Sequence, residues 1–212
     1  MQLYTYYRSS AAYRVRIAMN LKGLAREDIF IHLQRKEQLA DDYVQRNPQG
    51  FVPTLIDGDV TLGQSLAIIE FLEETHPEPP LLPPTPVERA RVRQLALVVA
   101  ADVHPIANLK VRNYLSEVLG VVGDDNIAWC RHWIGEGLNA FEALLANSPQ
   151  TGTFCHGDAP GLADVCLIPQ VYNARRFELD VAGWPNVARI DAACLAHDAF
   201  AAAAPEAQPD AG

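Results

Sequence analysis

The stretch YYRSSAAYRVRIAMN (residues 6–20) sets two adjacent hydroxyls, Ser9 and Ser10, between an aromatic segment and a helical pattern studded with arginines. Upstream, QLYTYY (2–7) is rich in β-favouring residue types and short enough to be a strand. Downstream, Val15, Ala18 and Leu21 recur at every third position, Ile17 pairs with Leu21, and Gly23 supplies a stop. The segment therefore reads as a strand, a serine-capped turn and a helix. A helix N-terminus carries unpaired N–H groups and a partial positive charge, so it favours an anion and lowers the pKa of a thiol placed there. Ala11 and Ala12 offer no sulfur, so a thiol held at this point must arrive on a ligand. Taken alone, the serines read more simply as a plain N-cap.

Working outward, EDIFIHL alternates as a second strand and KEQLADDYVQRN reads as a short polar helix that stops before Pro48. VPTLID, the turn Asp57-Gly58-Asp59 and VTLG form a hairpin, and Ser65 opens the helix SLAIIEFLEETH. The order is βαβαββα, and the late hairpin makes the sheet mixed. Six of the ten residues of PEPPLLPPTP (77–86) are proline, which cannot form helix or inner strand and marks a domain boundary. Beyond it the pattern turns helical over 87–119, 125–147, 162–179 and 187–199, with Pro105 breaking the hydrogen bonding of the first, and AAAAPEAQPDAG reads as a loose tail. The fold class is α/β plus all-α, with domains 1–78 and 87–212 joined by a linker, 79–86.

Three further groups bear chemistry. In FVPTL, the Val52–Pro53 bond is a candidate cis peptide that would turn the Val52 backbone outward toward an extended peptide, and Gln64-Ser65 before a helix suits a carboxylate. Arg8 adjoins the serines and Arg175-Arg176 close a helix, where arginine can pair bidentately with carboxylates or simply be solvated. DVHPIANLK sets His104 and Asn108 one turn apart, on one helix face, as a ligand contact, a proton-handling group or a structural histidine. Asp164 reads as the acidic half of a capping box whose cap position, Gly161, lacks a hydroxyl. GEGLNA (135–140) imitates a dinucleotide fingerprint but follows no strand, and Cys130-Arg131-His132 and Cys155-His156 lack metal-ligand spacing, so no metal is expected.

The 212 residues, 49% apolar and 20% charged, suit a globular chain, and a net charge of −9 argues against a nucleic-acid or membrane-surface binder. Four scattered cysteines without a CxxC pair, no signal-peptide pattern and no run of about 18 apolar residues lead to the expectation of a cytoplasmic protein.

RSSAAYRVRIAMNLKGL, NPQGFVPTL, QSLAIIEFLEE, DVHPIANLK and LADVCLIPQVYNARRFELD, in this order, resemble the zeta-class glutathione transferases from Leu3 to about Phe200. The resemblance implies a thioredoxin-like N-terminal domain that binds glutathione, an all-helical C-terminal domain that contributes the substrate site, and a homodimer. It implies that Ser9 and Ser10 hold the glutathione sulfur and that Val52, beside cis-Pro53, pairs with the cysteinyl backbone. Gln64 and Ser65 would take the γ-glutamyl carboxylate, with Gln49, His104 and Asn108 completing the cofactor site. Arg8 and Arg176 would grip a small anionic substrate, with His104 also a candidate catalytic group. Where the family carries a cysteine this chain has Ala11, which excludes a mechanism that needs that thiol. The implied activity is glutathione-dependent cis–trans isomerisation of a maleyl-type diketo acid, maleylpyruvate or maleylacetoacetate, in aromatic catabolism. The alternatives are a general transferase or dehalogenase acting on small α-halo acids, and a non-catalytic binding module of the same fold.

Overall fold

The strand expected at the N-terminus runs Gln2–Thr5 (β1) in a computed structural model that describes residues 1–211. It leads into α1, Ser10–Leu21, then β2, Glu27–Phe30, a one-turn helix α2, Asp41–Val44, the hairpin β3, Thr54–Asp57, and β4, Val60–Gly63, and finally α3, Ser65–Thr75. The sheet order is β2-β1-β3-β4. β1 pairs parallel with β2 and antiparallel with β3, with Leu3 opposite Leu55, and β3 pairs antiparallel with β4. The mixed sheet expected from the hairpin is therefore present. Gly58, at φ +57, supplies the left-handed residue that a two-residue hairpin turn requires. Leu3, Val15, Ile17, Met19, Ile68, Ile69 and Leu72 form the buried interior of this unit. Each such side chain contributes about 1.5–3 kcal/mol by leaving water.

KEQLADDYVQRN does not form a single helix. It begins at Lys36, whose φ of 60 separates a preceding 3-10 turn, Leu33–Arg35, from a second, Glu37–Leu39, and only Tyr43 of α2 is buried. Without an apolar stripe to bury, local turn geometry prevails.

Two compact units divide the chain: Met1–Leu81 together with the segment from Ala196 onward, and Leu82–Leu195. The closing residues thus belong with the first unit and not with the helical domain, 87–212, to which the sequence reading gave them. Nor is the tail loose. It follows directly on α10, Asp198–Ala201, whose Phe200 is fully buried, and makes a 3-10 turn, Pro205–Ala207; Ala203 is fully buried, and Gln208 Nε2 donates to the Ala202 and Ala204 carbonyls at 2.9 Å. Asn20 Nδ2 donates to the Ala199 carbonyl at 2.9 Å, so α1 supplies the anchor.

The proline-rich segment is held at its start by charge. Lys22 Nζ lies 2.7 Å from Glu73 Oε2 and also donates to the His76 and Pro79 carbonyls at 2.8 and 3.0 Å. Both Glu73 oxygens accept from the Leu81 N–H, at 3.1 and 3.0 Å.

In the second unit the helix expected over 87–119 is interrupted. α4, Pro86–Leu97, passes into a π-helical stretch, Val98–Val103, then α5, His104–Ile106, and α6, Leu109–Glu117. Pro105 has no N–H to continue the ladder, and the chain restarts at Asn108, whose Oδ1 caps α6 by accepting the Val111 N–H at 3.0 Å. His104 and Asn108 therefore do not share one helix face. The remaining helices are α7, Gly123–Ala146, α8, Leu162–Arg176, and α9, Pro185–Leu195. GEGLNA lies inside α7, where a Cβ on Gly137 would stand 2.0 Å from Val103 Cγ2. That glycine lets α7 press against the π-helical stretch that leads to His104. Asp164 is structural: its carboxylate accepts from the Gly161 and Cys155 N–H groups at 2.9 and 2.8 Å, and burial pushes its pKa up. Cys130, Cys155, Cys166 and Cys194 are all buried free thiols. No helix among the described residues is long and apolar enough to cross a membrane.

Candidate active site

In the first unit, two helix N-termini carry the polar residues singled out above. At α1, Ser9 is the N-cap, its Oγ accepting the Ala12 N–H at 3.2 Å, and Ser10 is the first helical residue, 7% exposed. Arg8 directly precedes them, its guanidinium 5.0 Å from the centre of the Tyr7 ring. At α3, Ser65 is buried and its Oγ accepts from Arg14 Nη1 at 2.9 Å. Neither helix has an acidic residue in its first turn, so the positive end of each dipole is left for an outside anion. Arg14, itself 2% exposed, stands one turn after Ser10, a rise of about 6 Å along α1, and ties the two helix starts together.

Gln64 has φ 66, a left-handed conformation that costs a side-chain-bearing residue about 1–3 kcal/mol. Its Nε2 donates to Gln49 Oε1 at 2.7 Å, so the structure joins two of the residues expected at a cofactor site. Strain of this kind persists where the surroundings fix it, and here it fixes the residue before Ser65.

The third element is the loop holding Val52 and Pro53, whose connecting peptide is cis. Asn47 Nδ2 donates to the Phe51 carbonyl at 2.9 Å and to Thr54 Oγ1 at 3.0 Å, and its Oδ1 accepts the Gln49 N–H at 3.1 Å. Tyr43 donates to the same Phe51 carbonyl at 2.5 Å and lies 2.9 Å from Thr54 Oγ1. Burial pushes the Tyr43 phenol pKa up, so it stays a hydrogen-bond donor well into alkaline solution. These buried groups clamp the loop, and the Val52 side chain, 6% exposed, packs in a cluster with Tyr6, Ala12 and Tyr43.

In the second unit, His104 and Asn108 flank the helix break, and the Asn108 oxygen is engaged as a cap. Arg175 and Arg176 fall in the last turn of α8 and differ in employment. Arg175 Nη2 pairs with the buried carboxylate of Asp191 at 2.5 Å. Arg176 is exposed and receives support from the Asn173 Oδ1, 3.0 Å away. Arg176 and Arg112 of α6 both stack on Phe177, at 5.7 and 5.1 Å from the ring centre.

Sequence reasoning missed Arg14, Asn47, Tyr43 and Thr54. A signal existed for Arg14: in YRVRIAM the arginines are set among apolar residues, with no polar face to carry them into water. For Asn47, Tyr43 and Thr54 the links span up to 11 residues and depend on the loop path, which no local pattern encodes.

Residues 3–80 match the family model for the glutathione S-transferase N-terminal domain. The chain is 50% identical to a probable maleylacetoacetate isomerase of Vibrio cholerae, over 99% of this chain and 97% of that one. It is 48% identical to the maleylpyruvate isomerase of a Ralstonia species, over 99% of both chains. Among solved structures, it resembles a holo maleylpyruvate isomerase described as a bacterial zeta-class glutathione transferase, with a TM-score of 0.97, 48% identity and 99% of each chain covered. A maleylacetoacetate isomerase from Methylobacterium extorquens, solved with malonate and glutathione, matches with a TM-score of 0.96 and 46% identity, over 99% of this chain and 98% of that one.

Proposed function

Because this chain belongs to the zeta-class glutathione transferases, we propose that it is a glutathione-dependent cis–trans isomerase of a maleyl-type diketo acid. The observation that carries the reading is the Ser9-capped start of α1, free of acid and of any thiol of its own, tied through Arg14 to the Ser65-bearing start of α3. That donor set suits a tripeptide with an ionisable sulfur at one end and a carboxylate at the other.

Glutathione, when bound, supplies a nucleophilic sulfur whose reversible addition to the conjugated double bond permits rotation about the remaining single bond. Ser9 and Ser10 hold the sulfur as an anion with help from the α1 dipole. Val52 pairs its backbone with the cysteinyl unit beside Pro53. Ser65, with Gln64, takes the γ-glutamyl carboxylate, and the buried Arg14 cation adds its field to that site. Gln49, His104 and Asn108 complete the cofactor contacts. Arg8 and Arg176 grip the substrate carboxylates and stabilise negative charge developing on its keto oxygen. The protein works as a homodimer in the cytoplasm, a setting in which four buried free thiols remain reduced.

The deciding assay follows the ultraviolet absorbance of maleylpyruvate and maleylacetoacetate with and without glutathione. Turnover that requires glutathione and leaves its concentration unchanged is the expected result. Chloride released from dichloroacetate in the presence of glutathione, with neither diketo acid isomerised, would replace the reading with a transferase or dehalogenase. Arg176→Ala is expected to raise KM for the dianionic substrate by about 10- to 100-fold, the worth of a charge-assisted contact. An unchanged KM would remove Arg176 from the clamp.

A further inference from the structure

The loop that presents Arg8 and Ser9 is gripped on both sides by groups outside it. The Tyr7 N–H donates to Asp210 Oδ2 at 3.0 Å, while the Tyr7 carbonyl accepts from Arg16 Nη2 at 2.9 Å. The Tyr6 carbonyl accepts Arg16 Nη1 at 3.2 Å and the Ser9 N–H at 3.0 Å. Arg16 Nη1 also reaches Thr5 Oγ1 at 3.0 Å, and its Nε donates to the Ala203 carbonyl at 3.1 Å. One guanidinium with no exposed surface therefore bonds the last residue of β1, the two residues after it, and the chain's closing segment. Burial brings the Arg16 pKa down to about 10, with the charges of Tyr13 and Asp210 acting the other way, so it is a cation at neutral pH.

This arrangement costs more than a surface loop needs. A peptide N–H next to solvent is normally satisfied by water or by its own turn. Here it takes a carboxylate from 203 residues further along the chain, on a segment itself locked by Phe200, Ala203 and Gln208. Freezing the Tyr7 peptide from both ends fixes the direction in which the chain enters α1. It thereby fixes where the Arg8 side chain and the Ser9 hydroxyl stand. Catalysis is sensitive to such placement, since an error of about 1 Å can cost about 100-fold in rate.

We propose that Asp210, acting with Arg16, is a positioning residue for the Arg8–Ser9 loop, so that the C-terminal segment sets the geometry in which the glutathione sulfur is ionised. The proposal rests on the reading of that loop as the thiolate site. Asp210 touches neither sulfur nor substrate and acts through the Tyr7 peptide.

The test compares Asp210→Ala, Asp210→Asn and Ser9→Ala in the full chain, because Arg16 variants risk failing to fold. Bound glutathione is titrated by thiolate ultraviolet absorbance, and kcat, KM and melting temperature are measured with glutathione and maleylpyruvate. Asp210→Ala is expected to move the thiol titration to higher pH and lower kcat about 10-fold, with KM for glutathione changing far less. Asp210→Asn keeps an acceptor for the Tyr7 N–H and should recover most of kcat, which loss of tail docking alone would not produce. If Ser9→Ala shifts the titration and Asp210→Ala leaves both titration and kcat unchanged, the positioning role is overturned while the thiolate site stands. If activity falls only in proportion to the unfolded fraction and Asn does no better than Ala, the role is equally overturned. If no variant, Ser9→Ala included, moves the titration, the thiolate reading fails and takes this proposal with it.

Discussion

Glu73→Ala should lower the free energy of unfolding by about 3–5 kcal/mol, the cost of breaking a buried ion pair from one side. Lys22 has no exposed side-chain surface and Glu73 only 7%, so neither charge can turn to water when its partner is removed. The deletion strands the Lys22 ammonium against two carbonyls that carry only partial charge, and it orphans the Leu81 N–H. Glu73→Gln keeps an acceptor for that N–H and should cost less. Joint replacement by a matched apolar pair, Lys22→Met with Glu73→Leu, should recover much of the loss, because the desolvation of both charges disappears as well. Denaturant unfolding of the four proteins measures the series. A loss below about 1 kcal/mol for Glu73→Ala, the worth of a surface pair, would show that the site admits water and that the linker is not pinned in this way.

Ser9→Ala should cut kcat by about 100-fold, as expected when one of the donors aimed at an anion is removed, and should cost about 1 kcal/mol of stability through the lost cap. The Ser9 oxygen already accepts the Ala12 N–H, which leaves its O–H to donate and polarises it for doing so. The two roles separate by substitution. Ser9→Asn retains a capping oxygen without a hydroxyl, so it should melt close to the parent yet remain slow. Ser9→Thr retains both functions and should recover most of kcat. The thiolate titration of bound glutathione should follow kcat through this set. Full activity in Ser9→Asn would hand the sulfur contact to Ser10, whose burial makes it the next candidate.

The features legible in the sequence were those governed by neighbours in the chain. The serine cap of α1, which falls on Ser9 rather than Ser10, the Asp57–Val60 hairpin and the mixed sheet follow from turn chemistry and strand length, and all stand in the structure. Residues whose work spans the fold were not legible. The apolar neighbours of Arg14 and Arg16 hint at burial, but their partners, Ser65 and the Ala203 carbonyl, lie 51 and 187 residues away. The tail AAAAPEAQPDAG has the composition of a loose end, yet its small side chains let Ala203 reach the buried guanidinium, an outcome decided 187 residues away. His104 and Asn108 have helical spacing, and a missing N–H at Pro105 was enough to part them.

The four cysteines acquire a meaning from the chemistry assigned to the site. An enzyme that collects glutathione in ionised form lives among the disulfides and mixed disulfides that the tripeptide generates. Burial pushes the Cys130, Cys155 and Cys194 thiols above the ordinary range, so they stay protonated and make poor nucleophiles for exchange. On the proposed reading a visiting sulfur is ionised while Cys130, Cys155 and Cys194 stay protonated, and these three thiols should resist glutathionylation under oxidative stress.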